Sequence, residues 1–90
     1  MADRYEFCRG GNVIASFTSM GEGVDWAEAN GYKWLKYSSV QSSVSGEYIE
    51  YFADLSDLPD GITADKAVDN ADKVLDYYGL GYEPCIVPRG

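Results

Sequence analysis

The segment Ala64–Tyr78 has the strongest helical periodicity in the chain, and it limits what the rest of the sequence can fold around. Apolar residues recur along it with the ~3.6-residue period of an α-helix. They are Ala64, Ala67, Val68, Ala71, Val74, Leu75 and Tyr78. Thr63 is a suitable N-cap, and Gly79 is a residue type at which helices commonly end. We therefore predict one continuous helix over Ala64–Tyr78.

The polar side of this predicted helix carries a row of acidic residues. The row consists of Asp65, Asp69, Asp72 and Asp76. On one helix, side chains three or four residues apart stack in a line with gaps of ~5–6 Å. Phosphates along a nucleic-acid strand are spaced on a comparable scale, with one charge per ~3.4 Å of axis. The row therefore predicts a phosphate-like surface, although Lys66 and Lys73 flank it and a solvated face with routine ion pairs explains it equally well.

Alternating apolar and polar residues predict β-strands in the remainder of the chain. The predicted strands are Tyr5–Arg9, Asn12–Thr18, Tyr32–Val40 and Glu47–Ala53, with Cys85–Val87 as an optional fifth. Ser19 and Glu22 have the form of a capping box at the start of a short helix, about Gly21–Asn30. The order is therefore ββα followed by ββα. We predict a single α+β domain over residues 1–90, with an antiparallel sheet of four or five strands and both helices on one face.

The chain is strongly acidic, and its charge is unevenly distributed. The net charge is −8, from 15 acidic and 7 basic residues. Residues 1–46 carry five acids and four bases, whereas residues 47–90 carry ten acids and three bases. Such a field repels nucleic acids and anionic membranes and attracts basic surfaces. We therefore expect no direct binding to nucleic acid or membrane, and a basic protein as the partner.

A second acidic series runs from the fourth predicted strand into a loop. Its members are Glu47, Glu50, Asp54, Asp57 and Asp60. If the loop lies beside the N-terminus of the predicted helix, the two series form one patch. The same residues also fit two simpler roles. Charges on an edge strand deter pairing between molecules, and clustered aspartates in a loop can hold calcium, although the spacing differs from that of an EF-hand.

Side chains suited to catalysis are scarce. The chain has no histidine, which removes the usual general base and the usual zinc ligand. Cys8 and Cys85 each lie in an apolar strand pattern, which favours inert, reduced thiols over a disulfide or a nucleophile. We therefore predict no enzyme activity, no cofactor and no metal site.

The location of the protein is predicted from its apolar segments. No apolar stretch that would form a signal peptide follows Met1. No apolar run approaches the ~20 residues that a membrane helix needs. A cytoplasmic location is therefore expected.

These features together predict a non-enzymatic inhibitor that covers the basic surface of a nucleic-acid-binding protein. The nine acids of the two series are the predicted contact residues. In size and charge, the chain resembles the small phage-encoded inhibitors of bacterial defence, including anti-CRISPR and anti-restriction proteins that mimic DNA. The resemblance implies a defence nuclease or a CRISPR effector as the partner, and the cytoplasm of the host cell as the location.

An alternative places the contact surface on aromatic side chains. Six of them fall in the predicted hairpin Tyr32–Phe52, namely Tyr32, Trp34, Tyr37, Tyr48, Tyr51 and Phe52. Strict alternation along the third strand would put Trp34 and Tyr37 on opposite faces. Core packing explains most of these rings, and any that are exposed suit a protein interface. In this alternative the chain is a general interaction or accessory domain, and its acidity serves only solubility.

Overall fold

A computed structural model describes residues 2–43 and 45–90 of the chain. The elements are β1 (Arg4–Arg9), β2 (Asn12–Phe17), α1 (Met20–Ala29), β3 (Tyr32–Gln41), β4 (Tyr48–Asp54), a 3₁₀ helix (Ala64–Lys66), α2 (Ala71–Tyr78) and β5 (Cys85–Arg89). The strands form one antiparallel sheet in the order β2-β1-β5-β4-β3. The α+β class and the antiparallel sheet are therefore confirmed, and the sheet has five strands.

The last strand of the chain lies in the centre of the sheet. On one side β5 pairs with β1, where Phe7 lies opposite Ile86. On the other side β5 pairs with β4, where Glu50 lies opposite Ile86. The predicted ββα-ββα order is not matched, because the chain returns after α2 to insert β5 between the two hairpins. The insertion joins the hairpins into one sheet and leaves β2 and β3 as its edges.

The first hairpin and the first helix form where the sequence predicts them. Gly10 and Gly11 make the turn between β1 and β2 with φ values of 59° and 81°, a conformation that glycine adopts without steric cost. Helix α1 begins one residue earlier than predicted, at Met20. The hydroxyl of Ser19 caps it by accepting a hydrogen bond from the backbone N–H of Glu22 at 3.2 Å.

The predicted continuous helix over Ala64–Tyr78 is wrong. The chain forms a short 3₁₀ helix, then a turn, and α2 begins only at Ala71. Asn70 breaks the helix: its φ of −118° and ψ of 30° lie outside the helical range. Its side-chain amide donates a hydrogen bond to the carbonyl of Lys66 at 2.9 Å. Aspartate and asparagine side chains compete with helical hydrogen bonds in this way, and Asp69 and Asn70 place two of them together.

The two helices lie on opposite faces of the sheet, so the prediction that both pack on one face is wrong. The α1 core consists of Ala2, Tyr5, Phe7, Ala27, Phe52 and Ile86, and the α2 core of Leu35, Ala53, Ala67 and Val74. Successive residues of a strand point to opposite faces, so Phe52 and Ala53 serve different cores. Both strands of the second hairpin carry apolar residues on both faces, a pattern typical of a sheet covered on two sides.

Candidate functional site

The four aspartates of the predicted helical row lie on three different local structures. Asp65 is in the 3₁₀ helix, Asp69 is in the turn, and Asp72 and Asp76 are on α2. All four are exposed. Because the helix breaks at Asn70, the four side chains do not share one helical axis. The regular, phosphate-like spacing that the row predicted is therefore not formed.

Four lysines lie among these aspartates and reduce their net charge. Lys36 Nζ lies 3.0 Å from a carboxylate oxygen of Asp72. Lys33 donates a hydrogen bond at 3.2 Å to a backbone carbonyl of the 3₁₀ helix. Lys66 and Lys73 belong to the 3₁₀ helix and to α2 themselves. These four of the seven basic residues of the chain therefore offset part of the negative charge of the four aspartates.

Two acids of the second series hold Arg9. The buried Asp54 pairs with the Arg9 guanidinium, and Asp57 lies 3.5 Å from its other nitrogen. Cys8 is the last residue of β1 that pairs with β5, and it lies opposite Cys85, the first residue of β5. Arg9 lies one residue beyond this pairing, and its side chain reaches Asp54 on β4. Burial raises the pKa of Asp54, but hydrogen bonds from Ser56 and Arg9 outweigh burial and hold that pKa below its ordinary value. Both carboxylates are engaged within the chain, which removes the basis for a calcium loop.

The loop after β4 lies against the C-terminal turn of α2, not against its N-terminus. The hydroxyl of Tyr78 accepts a hydrogen bond from the Asp54 N–H at 2.9 Å and donates one to the Asp57 carbonyl at 2.8 Å. Tyr77 donates to the Asp57 carboxylate at 2.8 Å, and the exposed Asp60 helps to raise the pKa of Tyr77. The two acidic series therefore approach each other near Tyr77, at the C-terminal end of α2. The prediction of a single patch required them to meet at the N-terminus of the predicted helix.

Glu47 ties the start of the chain to the second hairpin. The Tyr5 hydroxyl donates to its carboxylate, with distances of 2.8 and 3.0 Å to the two oxygens, and the Ala2 N–H donates at 2.8 Å. The hydrogen bonds from Ala2 and Tyr5 lower the pKa of Glu47. Like Asp54, Glu47 has a structural role that its place in an acidic series did not indicate.

Glu50 differs from the other acids because it lies on a sheet face among apolar side chains. β4 is an interior strand, so edge protection does not explain Glu50. Tyr37 lies opposite it on β3, and Ile86 lies opposite it on β5. Burial is the largest cause that raises the pKa of Glu50; repulsion from Glu47 adds to the rise, and the Trp34 indole opposes it. In the described part of the chain, no basic side chain pairs with Glu50.

Three aromatic side chains cluster beside Glu50 on this face. The rings of Trp34 and Tyr37 meet edge to face with centroids 5.2 Å apart, and the Tyr37 and Tyr48 centroids are 6.2 Å apart. Tyr37 is 53% exposed and Tyr48 is 42% exposed, whereas Trp34 is half-buried and packs against the α1 core. We call Trp34, Tyr37, Tyr48 and Glu50 the aromatic surface.

An extra residue in β3 creates this surface. Trp34 lies opposite Phe52. Three residues later on β3, Tyr37 lies opposite Glu50, which is only two residues from Phe52 on β4. This β-bulge brings Trp34 and Tyr37 to the same face, so the prediction from strict alternation is wrong. No glycine or proline marks the bulge in the sequence. Val44, in the connection between β3 and β4, lies outside the described residues.

The other aromatic residues of the hairpin have different surroundings. Tyr32 and Phe52 pack in the α1 core, while Tyr51 lines a groove of about 460 Å³ on the α2 side of the sheet. Lys36 and Asp72 also line this groove and pair with each other. The groove therefore has the character of an ordinary polar surface.

Cys8 and Cys85 lie opposite each other on β1 and β5 as free thiols. Burial raises the pKa of Cys85 to about 12, and it also raises the pKa of Cys8 above its ordinary value. The thiolate is the nucleophilic form of cysteine, so neither thiol is suited to nucleophilic catalysis at neutral pH.

Three further acids lie on the outer side of α1 and form no ion pair among the described residues, although Arg4 lines the same surface groove as Glu22. Glu22, Asp25 and Glu28 are exposed and follow one another at three-residue steps along this helix. Residues 10–32 contain no lysine or arginine. The two acidic series predicted from the sequence do not include these residues. The sequence does show, however, that residues 10–32 lack a basic residue.

In comparisons with protein-family models, curated proteins and solved structures, nothing matches this chain. Among residues 2–43 and 45–90, no helix has both the length and the apolar character needed to cross a membrane. Within the same residues, no group of three or more His, Cys, Asp or Glu side chains is placed to hold a metal ion.

Proposed function

We propose that this chain is a non-enzymatic protein-binding domain whose partner contacts the aromatic surface. The observation that carries the proposal is the exposure of Tyr37 and Tyr48, two touching rings at 53% and 42% on a sheet face. Tyrosine and tryptophan are enriched at interfaces and among the residues that contribute most to binding. A partner that covers these rings would bury apolar area and leave the hydroxyl groups at the rim.

The rigidity of the aromatic surface supports the same proposal. Trp34 packs against the α1 core, and Tyr37 packs against Trp34. Tyr48 begins β4, where it is paired with Gln41 of β3 and its ring lies against that of Tyr37. Side chains held in this way lose little conformational entropy when a partner binds, which favours affinity.

The second candidate is an acidic inhibitor of a basic nucleic-acid-binding protein, of the phage anti-defence type. The net charge of −8 favours it, and so do the three exposed acids of α1, which form no ion pair among the described residues. In this version Glu22, Asp25 and Glu28 form the centre of the phosphate-like surface. A defence nuclease or a CRISPR effector would be the partner, and the host cytoplasm would be the location. The internal roles of Asp54, Asp57 and Glu47 make the two predicted acidic series a weaker basis for it.

Capture of proteins from a bacterial lysate by the immobilised chain distinguishes the two candidates. The test variant is Tyr37→Ala with Tyr48→Ala. Its matched control is Tyr77→Ala with Tyr82→Ala, which removes two tyrosines that are 51% and 61% exposed elsewhere on the surface. Two charge variants are added, one with the α2 row neutralised and one with the α1 acids neutralised. They are Asp65→Asn, Asp69→Asn, Asp72→Asn and Asp76→Asn together, and Glu22→Gln, Asp25→Asn and Glu28→Gln together.

The aromatic proposal predicts that a specific partner is lost only with the Tyr37 and Tyr48 variant. Circular dichroism and a thermal melt establish that each variant is folded. Loss of the partner from the α1 charge variant, with retention by the Tyr37 and Tyr48 variant, would contradict the aromatic proposal and favour the inhibitor.

A further inference from the structure

We infer that the aromatic surface receives an arginine side chain of the partner, with Glu50 accepting hydrogen bonds from the guanidinium and Tyr37 and Tyr48 stacking on it. The inference rests on the proposed function and specifies the chemistry of the partner at that surface.

The neighbours of Glu50 in the sheet are aromatic or apolar. Tyr37 and Ile86 lie opposite it on the two adjacent strands. Tyr48 and Phe52 lie two residues away along β4, on the same face. A carboxylate in these surroundings loses part of its hydration, which disfavours its charged form. The Trp34 indole donates a hydrogen bond to Glu50, but no cation among residues 2–43 and 45–90 pairs with it, so its charge remains available to a basic group from outside.

The chain supplies cations to several of its acids but not to Glu50. The ion pairs of residues 2–43 and 45–90 are Arg4–Glu6, Arg89–Glu6, Arg9–Asp54, Arg9–Asp57 and Lys36–Asp72. Glu50 is in none of these pairs, and the net charge of −8 leaves the chain short of cations. The charge of the surface is therefore complementary to a basic group from outside.

The fold already contains one arrangement of the proposed kind. Tyr32 on β3 lies opposite Asp54 on β4, and Arg9 pairs with Asp54 while its guanidinium lies 5.9 Å from the centre of the Tyr32 ring. Tyr37 and Glu50 are a second cross-strand pair of tyrosine and carboxylate on the same two strands. The first pair is occupied by an arginine of the chain itself, and the second lacks one.

A guanidinium suits this site better than an ammonium group. It is planar, so it can stack on a tyrosine ring while two of its N–H groups donate to one carboxylate. It is also more weakly hydrated than an ammonium group, which lowers the desolvation cost beside Ile86 and the aromatic rings. Attraction between the cation and the faces of the rings adds to the carboxylate interaction.

The experiment is an NMR titration of the whole chain with N-acetyl-arginine methylamide. The indole N–H signal of Trp34 reports on the site, and that of Trp26, which packs in the α1 core, is the internal control. Two probes of similar shape are compared: N-acetyl-citrulline methylamide, which is neutral, and N-acetyl-lysine methylamide. We expect a saturable shift of the Trp34 signal with arginine, a weaker response to lysine and none to citrulline.

Two variants test the assigned roles. Glu50→Gln keeps the shape of the side chain and should weaken arginine binding at least about tenfold, since hydrogen bonds to charged groups are the stronger ones. Asp25→Asn removes an exposed acid from α1 and should leave the binding unchanged. An equal response to citrulline, equal binding of lysine, or unchanged binding in Glu50→Gln would each overturn the inference.

The outcomes also separate this inference from the proposed function. If lysate capture is lost with the Tyr37 and Tyr48 variant but retained by Glu50→Gln, the aromatic surface binds a partner and the arginine site is refuted. If wild type binds the arginine probe while capture does not depend on Tyr37 and Tyr48, the cation site stands and the proposed function is refuted.

Discussion

Phe52 and Ala53 are neighbours in β4, yet each is completely buried in a different hydrophobic core. Phe52 belongs to the α1 core and Ala53 to the α2 core, so one strand joins the two halves of the structure. Since β4 is shared, we expect both cores to unfold together in one cooperative transition.

Substitutions at this junction should therefore destabilise the whole domain. Phe52→Ala should lower the free energy of unfolding by about 3–5 kcal/mol, because it leaves a cavity in the α1 core. Ala53→Leu should lower it by roughly 1–3 kcal/mol through overpacking of the α2 core. Val40→Ala, at a residue that is 72% exposed, is the control and should stay within ~0.5 kcal/mol of wild type. Urea unfolding followed by tryptophan fluorescence and by circular dichroism measures these values, and two separate transitions would contradict the shared-strand account.

The two glycines of α1 should respond oppositely to alanine. At Gly23, an added Cβ would lie 2.9 Å from Ile86 Cδ1 and 3.2 Å from a Phe17 ring carbon, whereas nothing lies within 4 Å at Gly21. Gly21→Ala should stabilise the protein by about 0.5–1 kcal/mol through helix propensity. Gly23→Ala should destabilise it by roughly 1 kcal/mol or more, because Ile86 is fully buried and overpacking outweighs propensity. Thermal melts of the two variants check the prediction, and stabilisation by both would contradict the packing of α1 on β5.

The stability of the protein should fall at acid pH. Although burial raises the pKa of Asp54, hydrogen bonds from Ser56 and Arg9 leave it lowered, and hydrogen bonds from Ala2 and Tyr5 lower the pKa of Glu47. A carboxyl whose pKa is lowered in the folded state stabilises that state. This contribution is fully present above the unfolded pKa of about 4, and it is lost as pH falls through the folded-state pKa. We expect the free energy of unfolding to decrease steeply below about pH 4.

The matched variant for this pH dependence is Asp54→Asn. It should destabilise the protein by roughly 1–3 kcal/mol at neutral pH, because it removes the charge that holds Arg9. It should also make the acid limb of the pH profile shallower. An acid limb as steep as that of wild type would show that Asp54 does not contribute to it.

Glu50→Gln should have the opposite effect on stability. Burial raises the pKa of Glu50, so the charged form is disfavoured in the folded state. A carboxyl with a raised pKa contributes stability at low pH that is lost as pH rises through the folded value. Removal of the charge should therefore stabilise the protein at neutral pH, by less than ~1 kcal/mol, and have no effect at a pH below the ordinary glutamate pKa of about 4.3. Loss of stability on Glu50→Gln would mean that Glu50 has a structural role like that of Glu47.

The two thiols should be unreactive in the folded protein although they face each other across β1 and β5. Burial raises the pKa of Cys85 to about 12 and raises that of Cys8 as well. Reaction with a disulfide reagent at neutral pH should be at least about a hundredfold slower for Cys85 in the native state than in urea. The Cys8→Ser variant isolates Cys85 for this measurement. Equal rates in the two states would contradict the burial of Cys85.

The sequence predicts local elements well where a single strand or turn decides them. Tyr5 and Phe7 alternate with Glu6 and Cys8, and both aromatic residues are buried in the α1 core. Gly10 and Gly11 can make the tight turn that joins β1 to β2. These features depend on neighbouring residues only, so the pattern contains the information that they need.

Other features depend on contacts between distant residues, and the sequence pattern does not contain them. The bulge that brings Trp34 and Tyr37 to one face follows from the pairing of β3 with β4, where Tyr37 lies opposite Glu50. The internal roles of Asp54 and Glu47 depend on Arg9 and Tyr5, more than 40 residues away. Acids that appear equivalent in a sequence therefore divide into structural and exposed groups only when their partners are known.

The helix break at Asn70 could be predicted only in part from the sequence. Asp69 and Asn70 are local signals against a helix, but the apolar periodicity across them is stronger. The side-chain hydrogen bond from Asn70 to the Lys66 carbonyl is a local interaction that accompanies the break. The break separates the exposed aspartates, so they do not form the regular row that the sequence predicts.

The salt dependence of partner capture by the wild-type chain tests the aromatic proposal most directly. The captured protein is washed at increasing salt, from about 0.05 to about 0.5 M, a range over which exposed charges become largely screened. If the aromatic surface is the contact site, most of the partner should stay bound at the highest salt and should be absent from the Tyr37→Ala, Tyr48→Ala variant at every salt. Release of the partner with rising salt, together with normal capture by that variant, would contradict the account and would assign the contact to the acidic side chains.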